Sequence, residues 1–316
     1  MYYPFIRGKQ FELVMLREMA PKIAEWGFVP IIEPVKGNFP ALKRALDRLV
    51  ENNCRFILIV NPSVGELKVD SSSLWDEILD DHLVEYENYA IGLNLTAEDS
   101  LKTAMNFFAA YTADPIAVIH NGFSDGKGLA AIIDAAKPTI TDHVFVGQHS
   151  STLYRKHFKG VPRVLIEDGF KSRNNKEYPP SEPFSELYLT YGEMGCDAFG
   201  DFLIVGSEFR EGGGPAYAIA IHLTYADPDA DNAIAIKHYV SIEVDTPKDP
   251  AGKFFQALGK LVQDVERKNS PILRTAAVGE YLQLYRDQHF PGLGYVKKLS
   301  MQHHLELMAH LLNQEA

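Results

Sequence analysis

Cysteine is scarce in this chain of 316 residues, which contains only Cys54 and Cys196. Neither belongs to a CxxC pair or to the Cys/His spacing of a zinc site. A disulfide framework and a structural zinc site are therefore both disfavoured. The simplest interpretation is a protein of a reducing compartment.

Long apolar runs are also missing. No stretch reaches the length of about 18 apolar residues that a transmembrane helix needs. The opening residues, "MYYPFIRGKQFEL", lack the continuous apolar segment of a signal peptide. We therefore expect a cytoplasmic protein with no membrane partner.

Positive charge is the minority sign: 31 Lys and Arg residues stand against 42 Asp and Glu, for a formal net charge of −11. Proteins that bind nucleic acids or anionic membranes generally need a basic surface. This balance argues against general nucleic-acid binding, although it leaves a local basic groove open. The 46% of hydrophobic residues is typical of a globular protein with a substantial core.

Two familiar catalytic or cofactor motifs are absent as well. No G-x-G-x-x-G follows an apolar segment, so a dinucleotide-binding fold loses its main support. The sequence "GSEF" is not a G-x-S-x-G elbow, and a serine nucleophile therefore has little support.

What the chain does have is a regular alternation of short apolar segments with helix-period segments. The apolar segments span residues 2–6, 28–34, 55–62, 89–95, 115–121, 143–149, 163–169 and 201–208. Eight nearly continuous apolar strands separated by helices are typical of a buried parallel sheet. The sequence therefore predicts an α/β fold, a (β/α)8 TIM-barrel-like domain over residues 1–210.

The pattern changes after this barrel. Residues 216–244 resemble two long strands around an Asp/Pro turn at 227–232, and three helical segments follow. We predict that residues 211–316 form a β-hairpin and a helical extension packed on the barrel. Strand eight has two candidates, 201–208 and 216–225.

Polar residues follow the predicted strands, at the ends where barrel enzymes place their chemistry. They are Arg7 with Lys9, Glu33 with Lys36, Asn61, Asn94, His120 with Asn121, Gln148 with His149, Glu167 with Asp168, and Ser207 with Glu208. Strand alternation directs only one of Glu167 and Asp168 inward, and we choose Glu167, with Asp168 as a turn residue in the other interpretation. Glu33 has an alternative role in an ion pair with a neighbouring Lys or Arg, and the asparagines have one as loop caps.

Two chemistries fit these residues. Glu33, Glu167 and Asp168, with His120 or His149, suit a divalent metal such as Mg²⁺, Mn²⁺ or Fe²⁺. Alternatively, Glu33 and Glu167 act with a histidine as acid and base without a metal.

The predicted substrate is a small anion that contains phosphate. Arg7, Lys9 and Lys36 favour it because ammonium and guanidinium groups match a phosphate group. The remaining predicted substrate-binding residues are Asn61, Asn94, Glu208 and His222. We predict a hydrolase of the phosphoester class. Val35 stands where glycerophosphodiester-type barrels carry the second acid of Glu-x-Asp, so that assignment is weakened.

A different class of function is also compatible with the sequence. It is a non-catalytic barrel that binds a partner protein through its hairpin and C-terminal helices. His222 and His238, one on each predicted hairpin strand, would approach each other across the pair.

Several short segments resemble one family. "YYPFIRGKQFEL", "IIEP", "GDF" at 200–202 and "GPAYAIAIHLTY" followed by "KHYVS" are similar to the phage-type beta-protein family of bacterial and phage proteins. The resemblance covers most of the chain. It implies attention to Arg7, Lys9, Glu33, Asp201 and His222, and it implies a role in phage–host conflict. It carries no established reaction.

Overall fold

A computed structural model describes residues 1–212 and 214–314 and divides the chain into two compact units. The first unit consists of Met1–Glu167 and Leu187–Phe202. The second consists of Asp168–Glu186 and Leu203–Ala316.

The first unit is a nearly closed barrel of eight parallel strands that alternate with helices. The strands, each hydrogen-bonded to the next, are β1 (Phe5–Arg7), β2 (Ile31–Glu33), β3 (Phe56–Ile59), β4 (Tyr89–Thr96), β5 (Ile116–Asn121), β6 (Ile140–Val146), β7 (Arg163–Glu167) and β9 (Ala198–Asp201). The predicted TIM-barrel-like fold class is confirmed.

Helices separate these strands. They are α1 (Gln10–Trp26), α2 (Pro40–Glu51), α3 (Ser72–Leu74), α4 (Leu101–Ala110), α5 (Gly126–Ala136), α6 (Thr152–Arg155) and α7 (Leu187–Thr190). A π-helix, Trp75–His82, continues directly from α3. Local sequence sets several ends: Ser100 and Thr103 form a capping box at the start of α4, and Gly27 ends α1 in a left-handed conformation.

The eighth barrel strand differs from both predicted candidates. It is Ala198–Asp201, and residues 203–205 form a 3-10 turn instead of a strand. The apolar run "FLIV" lies beyond the end of this strand. The strand does not continue into it, because Leu203 adopts a left-handed φ of 51°. The second candidate, 216–225, contributes to a different sheet.

Barrel closure depends on backbone contact between β9 and the segment before β1. Tyr3 N donates to the Phe199 carbonyl at 2.9 Å, and Phe199 N donates to the Met1 carbonyl at 3.3 Å. A Cβ at position 200 would collide with the Tyr3 carbonyl, so glycine is required there.

Alternate residues of the strands form the barrel interior. This apolar cluster contains Tyr3, Phe5, Val29, Ile31, Ile57, Ile59, Ala90, Ala117, Ile119, Val144, Val146, Val164, Ile166, Ala198 and Phe202. Because side chains alternate along a strand, these members show which face of each strand points inward.

A buried charged group lies at the N-terminal ends of β1, β3 and β6. Asp142 is 0% exposed and forms an ion pair with Arg55, while its other oxygen accepts from the Tyr3 hydroxyl at 3.0 Å. Arg55 also donates to the Tyr3 hydroxyl at 3.3 Å. Burial and the Asp142 charge raise the pKa of Tyr3.

The second unit contains a three-stranded antiparallel sheet and three long helices. The sheet order is β10 (Ala220–Ala226), β11 (Ile234–Val240), β8 (Ser181–Ser185). The helices are α8 (Pro250–Glu266), α9 (Ala276–Arg286) and α10 (Leu293–Gln314). The predicted hairpin is present, since β10 and β11 pair directly from Ala220↔Val240 to Ala226↔Ile234.

The apolar face of this hairpin is covered within the second unit. Ile221, Leu223 and Tyr225 of β10 share one buried cluster with Phe254 of α8 and Tyr281 of α9. On the other face of β10, the Thr224 hydroxyl lies 2.9 Å from His304 Nδ1 of α10. None of the helices in the described part of the chain is long and apolar enough to cross a membrane.

Candidate functional site

The C-terminal ends of the first four barrel strands direct polar side chains inward. Phe5, Ile31 and Ile57 belong to the interior cluster. Alternation therefore places Arg7, Glu33 and Asn61 on the same inward face, two or four residues further along. Asn94 holds the equivalent position beyond Ala90 of β4.

Arg7, which is partly exposed, forms an ion pair with the buried Glu33. Arg7 Nε lies 3.3 Å from Glu33 Oε2, and Glu33 is only 1% exposed. Glu33 Oε1 accepts from Ser63 N at 2.8 Å and from Ser63 Oγ at 2.9 Å. The Arg7 guanidinium also lies over the Phe202 ring, 5.4 Å from its centroid. The ion pair considered for Glu33 from the sequence is thus present, and both carboxylate oxygens have partners.

Asn61 continues the pairing of β3 with β4 after β3 has ended. Its Nδ2 donates to the Asn94 carbonyl and its Oδ1 accepts from Asn94 N, both at 2.8 Å. The Asn61 side chain therefore replaces a peptide group in the ladder. This is the loop-capping role that the sequence left open for Asn61.

The Asn94 side chain is in a different situation. Asn94 is 1% exposed, and its Oδ1 is buried with no hydrogen-bond partner among the described residues. Such groups are rare, because an unsatisfied buried acceptor costs about 1–3 kcal/mol.

Asn94 lines a cavity of about 540 Å³ at the C-terminal ends of β3, β4 and β5. We call this cavity the rim pocket. Its polar wall includes Asn61, Ser63, Lys68, Asn94, Thr96 and Asn121. The volume lies within the range of about 300–1,000 Å³ typical of small-molecule sites.

The charged residues on the wall of the rim pocket are few and mostly paired. Lys68 Nζ lies 3.7 Å from Glu98 Oε2, and both side chains are more than half exposed. Asp99 Oδ2 accepts from Thr96 N and Thr96 Oγ1, both at 2.8 Å. Lys68 is the one Lys or Arg among the described residues of the wall.

His120 lies on the outward face of β5, because its neighbour Ile119 is in the interior cluster. Its Nδ1 is 2.8 Å from the Tyr154 hydroxyl, and its Nε2 is 3.0 Å from His143 Nδ1. The rings of Phe145 and Phe158 pack against it at centroid distances of 4.5 and 4.4 Å. The structure does not bring His120 onto the inward face that carries Glu33; its position is that of a satisfied core histidine.

Burial dominates the chemistry of these histidines. It lowers the pKa of His120 well below its usual value, with a further contribution from His143. It lowers the pKa of His143 to about 4. In the second unit, burial similarly lowers the pKa of His303 to about 4.

A pH dependence of stability follows from His143 and His303. Their folded pKa of about 4 lies below the unfolded value of about 6.5, so the folded state binds fewer protons at intermediate pH. Stability is then full above pH 6.5 and falls on acidification, by about 2 kcal/mol per histidine at pH 5. Urea unfolding at pH 7 and pH 5 measures this loss. His303→Gln should reduce it, the exposed His310→Gln should not, and equal stability at both pH values would contradict the expectation.

His149 and Glu167 are placed apart from the inward set. His149 is exposed in the 3-10 turn Gly147–His149 that follows β6. Glu167 ends β7 next to Ile166, which points into the barrel, so alternation places Glu167 on the outward face.

Asp168 begins the second unit and acts as a turn residue there. Its Oδ1 accepts from Phe170 N at 2.9 Å, and its Oδ2 accepts from Ser207 N at 2.7 Å. The predicted metal ligands were Glu33, Glu167 and Asp168. In the described ranges, no group of three or more His, Cys, Asp or Glu side chains could hold a metal ion.

The other predicted substrate-binding residues lie in loops or in the second unit. Lys9 precedes α1 as its N-cap residue. Lys36 pairs with Glu66 at 2.8 Å on the surface, and this hydrogen bond lowers the pKa of Glu66. Glu208 pairs with Arg210 at 2.7 Å, and the Arg210 hydrogen bond lowers the pKa of Glu208.

His222 belongs to a series of hydrogen-bonded side chains within the second unit. Its Nδ1 lies 2.7 Å from His238 Nδ1, as the hairpin pairing predicts, and His238 Nε2 lies 3.2 Å from Glu182 Oε1. Arg173 Nη2 donates to both Glu182 oxygens, at 2.9 and 2.8 Å. Burial lowers the pKa of His238 to about 4, against the opposing charge of Glu182.

Sequence reasoning missed Ser63, Lys68 and Thr96 of the rim pocket, and it placed Asn121 at a strand end without assigning it to the site. Alternation within "IAVIHN" could have identified Asn121, since it shares the face of Ala117 and Ile119. Ser63 and Lys68 lie in the β3–α3 loop, where no periodic signal exists. Glu182 and Arg173 of the second unit carried no recognisable signal either.

Comparison with known proteins adds no relative: the chain matches no protein-family model and no curated protein.

Proposed function

We propose that this chain is a hydrolase-like barrel that binds a small polar substrate in the rim pocket. The observation that carries the proposal is Asn94, which lines a ligand-sized cavity and whose buried Oδ1 has no described partner. A ligand hydroxyl or N–H would supply the missing donor and remove the cost of leaving the acceptor unsatisfied. The C-terminal ends of barrel strands are also where enzymes of this fold bind their substrates.

A phosphate-containing substrate fits the same wall. Lys68 is held by Glu98 in an exposed pair at 3.7 Å, and such pairs contribute little stability. A substrate phosphate can therefore replace Glu98 as the partner of Lys68. The asparagine and hydroxyl side chains would bind the uncharged, hydroxyl-bearing part of the molecule.

The carboxylate of the reaction would be Glu33. It is linked to the pocket through Ser63, which lines the pocket and donates to Glu33 Oε1. We base the proposal on acid–base chemistry without a metal. Of the predicted acid–base residues only Glu33 is on the inward face, so the proposal uses Glu33 with Ser63 and not Glu167, His120 or His149. The metal-dependent route with Mg²⁺, Mn²⁺ or Fe²⁺ requires a ligand set that the described residues do not form.

Thermal shift with matched ligands tests the binding. Ribose 5-phosphate, ribose and inorganic phosphate differ only in which half of the expected substrate they carry. We expect ribose 5-phosphate to raise the Tm most, since a ligand that binds the folded state stabilises it by mass action. Lys68→Met should remove the extra increment of the phosphate ester and leave the effect of ribose. Equal Tm values with all three ligands and without ligand would overturn the proposal.

A matched pair of carboxamides tests the reaction. Glu33→Gln should lower kcat/KM for p-nitrophenyl phosphate by about 100-fold or more, the contribution typical of a general acid or base. Glu167→Gln, on the outward face of β7, should leave it unchanged. Circular dichroism is the control that checks whether both variants are folded. Unchanged activity in Glu33→Gln would refute the catalytic role of Glu33.

The scaffold alternative depends on an exposed apolar surface on the hairpin and C-terminal helices. In the second unit the apolar face of β10 is covered by α8 and α9, so this face of the hairpin offers no apolar surface to a partner. Membership of the phage-type beta-protein family, a cytoplasmic location and a role in phage–host conflict stay proposals.

A further inference from the structure

A second cavity in the first unit, separate from the rim pocket, has a different chemistry. Its volume is about 780 Å³, and it lies beside the π-helix Trp75–His82 and the N-terminal ends of β4 and β5. We call it the aromatic cleft. Its wall includes Trp75, Asp80, Tyr86, Glu87, Tyr89, Tyr111 and Asp114.

Aromatic rings in two groups form the wall of the cleft. Trp75 stacks on Tyr111 with a centroid distance of 4.1 Å and an interplanar angle of 9°. Tyr86 and Tyr89 are parallel to within 9°, with centroids 6.4 Å apart. All four side chains are partly exposed.

The wall also carries three carboxylates and, in the part of the chain that the structure describes, no Lys, Arg or His. Asp80, Glu87 and Asp114 have no ion pair with a described residue. Asp80 and Asp114 lie close enough to the rings to affect their ionisation. Burial is the largest cause that raises the pKa of Tyr89 to about 12, and the negative charges of Asp114 and Asp80 also raise it. Burial is likewise the largest cause of the raised pKa of Tyr111, and the charges of Asp80 and Asp114 are the smaller causes.

The π-helix explains why Trp75 and Asp80 share this wall. Its i→i+5 hydrogen bonds place residues five apart above one another, as for Leu83 N and the Ile78 carbonyl at 2.8 Å. Among the wall residues, positions 75 and 80 are five apart, as are positions 79 and 84 just beyond the end of the π-helix. An ordinary α-helix would turn position 80 away from position 75. π-Helical segments are rare and frequently occur at functional sites.

We propose that the aromatic cleft binds a small organic cation of the quaternary ammonium type. Aromatic faces attract such cations through their quadrupoles, and the unneutralised carboxylates add charge complementarity. The volume of the cavity, about 780 Å³, lies within the range typical of small-molecule sites. This site is independent of the rim pocket and of any reaction there.

Titration of the full-length protein with choline and with 3,3-dimethylbutanol, its uncharged isostere, tests the charge requirement. The chain has two tryptophans, Trp26 and Trp75, so two indole N–H signals are expected in the NMR spectrum. We expect choline to shift the Trp75 signal and leave the Trp26 signal in place, with a much weaker effect of the isostere. Equal binding of the two compounds, or no shift of the Trp75 signal at millimolar choline, would overturn the proposal.

Neighbouring aspartates on the π-helix provide a matched pair of variants. Asp80→Asn removes a carboxylate of the cleft and should weaken choline binding about two- to fivefold, as expected for an exposed charge pair. Asp81→Asn removes the same charge next to it, but Asp81 pairs with Lys43 at 3.9 Å and does not line the cleft. Equal weakening by both variants would show only a general charge effect and would contradict a local site.

Discussion

Replacing Asp142 by alanine is expected to destabilise the barrel by about 3 kcal/mol, the lower end of the range for a buried ion pair that loses one partner. Asp142 is fully buried, and its removal leaves the charge of Arg55 and the Tyr3 hydroxyl without their acceptor. The lower end applies because the Arg55 side chain is 32% exposed and can partly reach water. The free energy of unfolding from urea titrations measures the effect.

Two further variants separate the ion pair from a general effect of substitution. Asp134→Ala, at an exposed position of α5, should change stability by no more than about 0.5 kcal/mol. The double variant Arg55→Met with Asp142→Leu removes both charges together, and we expect it to recover much of the lost stability. If Asp142→Ala costs no more than Asp134→Ala, the buried pair does not stabilise the barrel.

Replacing Asn94 by leucine is expected to have the opposite sign, a gain of about 1 kcal/mol in the free energy of unfolding. Leucine has a similar shape and removes the buried Oδ1 that has no described partner. The backbone N–H and carbonyl of Asn94, which bind Asn61, are retained. The same variant should lose the thermal shift with ribose 5-phosphate, so stability and binding would change in opposite directions.

Asn61→Leu is the control for this prediction. It removes both hydrogen bonds to the Asn94 backbone and should lower the free energy of unfolding by about 1–3 kcal/mol. Two neighbouring asparagines would then respond with opposite signs to the same substitution. Destabilisation by Asn94→Leu would contradict the cost assigned to the unsatisfied Oδ1, and an unchanged ligand response would refute a binding role for the Asn94 amide.

Strand alternation predicted the barrel interior better than it predicted the chemistry of the strand ends. For β5, the sequence analysis chose His120 and not Asn121 as the site residue. Only Asn121, however, shares the inward face of Ile119. For β7, Ile166 faces inward, so Glu167 lies on the outward face. Register decides these cases, and strand bounds taken from apolar runs are too coarse to determine it.

Other features had no signal in the sequence at all. The π-helix at Trp75–His82 has ordinary composition, and its wider turn appears only in the folded backbone. The eighth strand was placed too late, because "FLIV" is more apolar than "AFGD". The backbone contact that requires Gly200 is made with Tyr3, far away in the chain.

By itself, the sequence determined the class of fold and the hairpin, because the periodicity of apolar residues that specifies them is a property of short stretches of residues. It also determined which polar residues follow the strands. Only the tertiary structure decided which of them meet: Arg55 with Asp142, 87 positions apart, Arg7 with Glu33, and Asn61 with the backbone of Asn94. The physical reason is that hydrogen bonds and ion pairs depend on distances of a few ångströms between segments that no local pattern connects. The unpaired Asn94 oxygen, on which the proposed site rests, is visible only when all of those distances are known.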